Sequence, residues 1–90
     1  MAIAVTYNPP AMTTEQYDQI VSSLESAGAY PAPGRLYHVC FGDKTNLKCV
    51  EVWESQEAFD KWGATLKPFL EEFGLDVGQT EIAEVHNILA

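Results

Sequence analysis

Apolar and polar positions alternate along Ala2–Asn8, where Ile3, Val5 and Tyr7 stand against the smaller Ala4 and Thr6. That period of two predicts a β-strand, ended by Pro9 and Pro10. The period then lengthens: Tyr17, Ile20, Val21, Leu24 and Ala27 recur at i, i+3, i+4 and i+7 spacing, one stripe of a helix facing a core. Thr13 fits the N-cap of this helix and Gln16 its third position, a capping box. Met12 and Tyr17 occupy the positions of a hydrophobic staple, and Gly28 suits the left-handed stop.

Two further strands are predicted over Gly34–Gly42 and Leu47–Glu54, flanking a tight turn at Asp43–Asn46. A two-residue loop at Lys44–Thr45 pairs Asp43 with Asn46. Counting back, Cys40 opposes Cys49, His38 opposes Glu51 and Leu36 opposes Trp53. Tyr37, Val39, Phe41, Val50 and Val52 then share an apolar face, while the other face carries His38 and Glu51 among apolar residues. Ser55 is a good N-cap for a second helix, with Glu57 in its first turn. Ala58, Phe59, Trp62, Leu66, Phe69, Leu70 and Phe73 form its buried stripe, and Gly74 closes it. Gly63 and Pro68 predict a break or kink near Gly63–Lys67. A last strand is expected over Gln79–Leu89. Ile82, Glu84, His86 and Ile88 lie on one face of it.

The order is β-α-β-β-α-β, a ferredoxin-like α+β fold with both helices on one face of a four-stranded antiparallel sheet. Residues 1–90 form a single domain of this kind. With 47% of residues apolar and 11% aromatic, the chain is rich in hydrophobic surface for 90 residues. Small domains bury a modest fraction of their surface alone. Neither sheet face is dominated by charge, so the uncovered face is expected to meet a second copy in a homodimer.

Charge narrows the partners. Five Lys+Arg against thirteen Asp+Glu give a net charge of −8. No basic stripe is available to neutralise phosphates, which argues against nucleic acid, and anionic membrane surfaces are disfavoured for the same reason. No apolar stretch approaches the roughly 20 residues of a membrane span, and Met1–Tyr7 lacks the basic flank of a signal peptide. Two cysteines in such a chain fit a reducing, cytoplasmic setting. Cys40, Cys49 and His38 on adjacent strands make a weak metal signature without a fourth ligand, so no metal is expected.

Trp53-Glu-Ser55-Gln-Glu-Ala58-Phe59-Asp-Lys-Trp62 resembles the W-x-S-x-x-A-F-x-x-W segment of the dimeric α/β-barrel superfamily. That group includes antibiotic-biosynthesis monooxygenases and small haem-degrading monooxygenases. The resemblance implies a homodimer in which two sheets face each other as a barrel, with a small-molecule pocket between helices and sheet in each subunit. It places Trp62 at the tryptophan that lines the pocket of the haem-degrading members, and Asn8 one step from their first-strand asparagine. Their haem-ligating histidine corresponds to Glu72, a poor substitute for an axial imidazole. No haem or other cofactor is therefore expected.

The candidate site follows. His38 held by Glu51 is the expected catalytic pair, poised as an acid or base, with Trp62, Trp53, Phe59 and Asn8 expected to contact a small apolar or aromatic metabolite. Three readings stay open: a cofactor-independent oxygenase on an aromatic or enolisable metabolite, a non-catalytic binding or sensing dimer, and a purely structural dimer whose tryptophans only pack.

Overall fold

A computed structural model describes residues 1–89. Its elements run β1 (Ile3–Asn8), α1 (Thr14–Ser26), β2 (Arg35–Asp43), β3 (Asn46–Trp53), α2 (Gln56–Phe73) and β4 (Gln79–Glu84). The strands form one sheet in the order β2-β3-β1-β4, antiparallel at each pairing, which is the ferredoxin-like βαββαβ topology. No described helix is long and apolar enough to cross a membrane.

Local chemistry accounts for the helix ends. Thr13 accepts from the Gln16 N–H at 3.1 Å while the Gln16 side chain accepts from the Thr13 N–H at 2.9 Å, closing the capping box. Ser55 caps α2 through the Ala58 N–H at 3.1 Å, and Gly74 stops it at φ 63°. The hairpin turn is held by Asp43, whose carboxylate accepts from the Thr45 N–H and hydroxyl at 2.8 and 2.7 Å. The turn in turn docks on the start of α1: the Thr14 N–H donates to the Lys44 carbonyl and the Leu47 N–H to the Met12 carbonyl. Hairpin and helix are thereby fixed relative to each other.

The core lies between the helices and one sheet face, built from Ile3, Val5, Ile20, Leu24, Leu47, Trp53 and Trp62, all nearly or fully sealed. Glu51 is buried on the same face, with 2% exposure. The opposite face carries Tyr37 and Phe41 exposed at 62% and 44%, beside half-buried Val39, Val50 and Val52.

Three sequence expectations need correction. First, α2 runs unbroken through Gly63–Lys67. Pro68 frees the Ala64 carbonyl from its helical donor, but both residues lie on the exposed face, where that oxygen is open to solvent. Second, β4 ends at Glu84, not Leu89. Glu84 pairs with Ile3 at the start of β1, and the Val85 N–H reaches the Ala2 carbonyl, so no neighbouring strand remains for later residues. Third, Leu36 does not oppose Trp53. The register shifts between Arg35 and Tyr37, so Arg35 pairs with Trp53, Tyr37 with Val52, and Leu36 is the extra residue of a bulge. Beyond the bulge the expected pairs His38–Glu51, Cys40–Cys49 and Asp43–Asn46 are present.

Candidate functional site

Glu51 is the centre of the site. It sits mid-strand on β3 under the helices, where an ionised carboxylate is costly unless every oxygen is paired. Trp53, two residues along the same strand face, donates its indole N–H to Oε1 at 2.9 Å. His38 Nδ1, directly across on β2, lies 2.6 Å from Oε2. The Arg35 guanidinium reaches the same Oε2 at 3.2 Å. Burial pushes the Glu51 pKa up, but hydrogen bonds from His38 and Trp53 and the positive charge nearby outweigh it. The carboxyl is held below its ordinary value. Glu51 is therefore an anion near neutral pH.

An ionised Glu51 makes His38 Nδ1 the donor, which leaves Nε2 as acceptor in the neutral ring. The Tyr17 hydroxyl, from the first turn of α1, is 2.6 Å from Nε2. Burial raises the Tyr17 pKa well above that of a free phenol, so its proton stays on and is donated to Nε2. The result is a directed chain, Tyr17 O–H to His38 to Glu51, crossing from helix to sheet.

Arg35 lies at the side of this chain. Its guanidinium carbon is 5.2, 5.5 and 5.9 Å from the ring centres of Tyr30, Trp62 and Trp53. Three aromatic faces around one guanidinium hold it rigidly and favour its charge.

The chain opens on a cavity of about 70 Å³ between the helices and the sheet. At about 10–15 Å³ per water, that is room for about five to seven waters. Ile20, Leu24, Leu66 and Leu70 provide apolar walls, Tyr17, Arg35, His38 and Glu51 cluster on the lining, and exposed Asp76 also borders it.

Of the residues expected to form a site, His38, Glu51 and Trp62 come together on this cavity. The other three do not line it. Trp53 is fully buried and serves Glu51 as a hydrogen-bond donor from behind. Phe59 packs between Tyr7 and Trp53, with ring centres 6.3 and 5.7 Å away. Asn8 is exposed at the end of β1, paired to Gln79. Glu72 is exposed on α2, and His86 lies beyond β4. No group of three His, Cys, Asp or Glu side chains among the described residues is arranged to hold a metal.

Two functional residues went unnoticed in the sequence. Tyr17 read only as an apolar packing residue, in a helical stripe and a hydrophobic staple. Arg35 drew no role inside the predicted strand Gly34–Gly42, although it is the chain's single arginine.

The site's architecture can be set beside known structures. SnoaB, a cofactor-independent oxygenase from Streptomyces nogalater, superposes with a TM-score of 0.65 over 98% of this chain and 94% of its own, at 13% identity. A candidate antibiotic biosynthesis monooxygenase from Deinococcus radiodurans gives 0.61 over 100% and 97%, at 14% identity. Another from Chloroflexus aurantiacus gives 0.59 over 99% and 95%, at 17% identity. The chain shares its ferredoxin-like fold with these proteins. At these identities the likeness is one of fold, and it spans almost the whole chain. No family model matches the sequence, and no curated protein does either.

Proposed function

We propose that this protein is a cofactor-independent, monooxygenase-like enzyme acting on a small aromatic or enolisable metabolite, and that it works as a homodimer. The observation that carries the reading is the buried Tyr17–His38–Glu51 chain beside an apolar cavity. A buried carboxylate holding an imidazole in one tautomer is what a general base needs. SnoaB, which shares the fold, is described as a cofactor-independent oxygenase. The exposed Tyr37 and Phe41 and the valines beside them support a second copy against the outer sheet face.

The chemistry starts with proton removal. The substrate carries a methylene made acidic by a neighbouring carbonyl or aryl group. As its C–H proton passes to the Tyr17 oxygen, the Tyr17 proton passes to His38 Nε2, so no phenolate accumulates. The imidazolium is then paired with Glu51. The carbanion reduces O₂ and forms a C–O bond, giving a hydroperoxide once protonated. Loss of water leaves a carbonyl where the methylene stood, with one oxygen atom in product and one in water. No external reductant is needed, and the apolar walls keep competing water from the carbanion.

His38 Nε2 already engages the Tyr17 hydroxyl, and this favours a second reading as a binding or sensing module with the same pocket. Oxygen uptake with a panel of small polyphenols and enolisable ketones separates the two. Turnover is expected with at least one compound, and His38→Gln should lower it by about 10²–10⁴, the worth of a positioned base. Saturable thermal stabilisation without oxygen uptake across the panel would instead establish the binding module.

A further inference from the structure

We propose that Arg35 is the oxyanion-binding residue of the pocket, and that its ligands are small planar rings bearing a conjugated anionic oxygen, as carboxylate, phenolate or enolate. The inference rests on the pocket reading above and names the substrate class for it.

Arg35 is poorly explained as a partner of Glu51 alone. A guanidinium built to neutralise a carboxylate usually meets both oxygens through two parallel N–H bonds of about 2.7–2.9 Å. Here a single nitrogen reaches a single oxygen at 3.2 Å. The other oxygen is taken by Trp53, and His38 holds the shared one more closely at 2.6 Å. An arginine carries five N–H donors in a fixed fork. Among the described residues Glu51 is its one side-chain partner, and no fully buried side-chain nitrogen or oxygen lacks a partner. The remaining Arg35 nitrogens are therefore open to an incoming acceptor, and Arg35 lines the cavity.

The guanidinium is also immobilised in advance. Tyr30, Trp53 and Trp62 surround it, its side chain is only 13% exposed, and Gly34 fixes the backbone just before it. Gly34 sits at φ 83°, and a Cβ there would meet the Ala58 Cβ at 2.6 Å, so β2 can begin only at a glycine packed against α2. A donor held still before binding loses little entropy when a ligand arrives. Glu51 cancels the charge of Arg35 overall, so a ligand gains mainly from directed N–H donors set among largely apolar walls, where such contacts are strong. The aromatic surfaces around the guanidinium favour a flat ligand over a bulky aliphatic one. In the proposed reaction the same donors face the oxygen on which enolate charge develops, which makes Arg35 an electrostatic partner to the His38 base.

The test uses benzoate and benzamide, which share a ring and differ in the anionic oxygen. Quenching of Trp53 and Trp62 fluorescence at neutral pH reads binding directly. The intact protein should bind benzoate about tenfold more tightly than benzamide. Arg35→Gln should bring the two affinities to within roughly twofold by weakening benzoate more than benzamide, and Arg35→Lys should restore only part of the preference. If the intact protein shows no preference for benzoate, the anion-binding role is overturned and the pocket stands. A preference that survives in folded Arg35→Gln overturns the role too, and points to His38 as the anion's partner. If neither compound binds, the pocket reading itself falls and takes this inference with it. Should Arg35→Gln fail to fold, by circular dichroism, Arg35→Lys and the intact protein's own preference decide the matter.

Discussion

Glu51→Gln is the sharpest perturbation of this molecule, because it changes one atom at the point where three donors converge. Trp53 Nε1, His38 Nδ1 and Arg35 all donate to the Glu51 oxygens. A glutamine supplies one acceptor and one donor, and neither orientation fits. With its oxygen toward Trp53, the amide N–H₂ faces Arg35, whose charge loses its only side-chain partner. With its oxygen toward His38 and Arg35, the amide faces the indole N–H. Breaking a buried ion pair on one side costs about 3–5 kcal/mol. Arg35 keeps some access to water through the cavity and one hydrogen bond survives, so about 2–4 kcal/mol is expected. For a domain of this size each kcal/mol moves Tm by about 4–8 °C, so Tm should fall by roughly 8–32 °C at fixed protein concentration. The first orientation also inverts the histidine. Nδ1 must accept from the amide, Nε2 must carry the proton toward Tyr17, and the base is lost, with any turnover falling about 10²–10⁴. Acid provides an independent check. The Glu51 pKa is depressed in the folded protein, so its contribution to stability is present above the unfolded carboxylate value, about 4.3, and disappears as pH falls through the folded one. The difference in Tm between the intact protein and Glu51→Gln should therefore shrink as pH drops from 6 toward 3. A variant that melts within about 3 °C of the intact protein at pH 7 would refute the claim that Glu51 is the charged centre of the site.

Two further outcomes follow from the structure. Cys40 and Cys49 are free thiols on opposed strand positions, and burial pushes Cys49 up to about 12 and Cys40 above its ordinary value. Alkylation at pH 8 should be slow in the native protein and should reach both groups in denaturant; fast native labelling would refute their burial. Light scattering at micromolar concentration should return a dimer, and Tyr37→Glu together with Phe41→Glu on the outer sheet face should dissociate it. An interface on that face is expected to bury about 2,000 Å² in total, and a monomer of 10.0 kDa would rule it out.

Much of this architecture could be read from the sequence because its determinants are local. The Thr13–Gln16 capping box, the Ser55 cap and Gly74 lie within a turn of what they stop or start, so type and spacing suffice. The Lys44–Thr45 turn is equally local, and it sets the hairpin register as far back as His38–Glu51. What could not be read depends on distant neighbours. Alternation alone carries β4 to Leu89, yet a strand persists only beside a partner, and β1 begins at Ile3. Pro68 reads as a breaker until it is known that its side of α2 faces water.

The site was legible to the same limit and no further. His38 and Glu51 lie on the turn side of the bulge, where pairing by counting is sound. Arg35 lies beyond it, where counting places Leu36 opposite Trp53 and sends Arg35 to the outer face. One extra residue inverts that assignment: Leu36 becomes exposed at 56%, and Arg35 enters beside Glu51 and the three aromatic rings. The energetic logic runs in the direction of the bulge. A regular ladder would bury Leu36 and leave Glu51 with His38 and Trp53 alone, whereas the bulge exposes one leucine, at about 1.5–3 kcal/mol, and brings a cation to a buried anion. The bulge thus adds a cation to a buried anion that already has two hydrogen-bond donors, at the cost of one leucine contact. Bulges of this kind re-aim side chains beside binding sites. Deleting Leu36 should make the ladder regular with Arg35 still opposite Trp53. Arg35 should then stay beside Glu51 and the preference for benzoate should persist, with the His38–Glu51 pair on the turn side undisturbed. Loss of that preference in a folded deletion variant would refute this register argument.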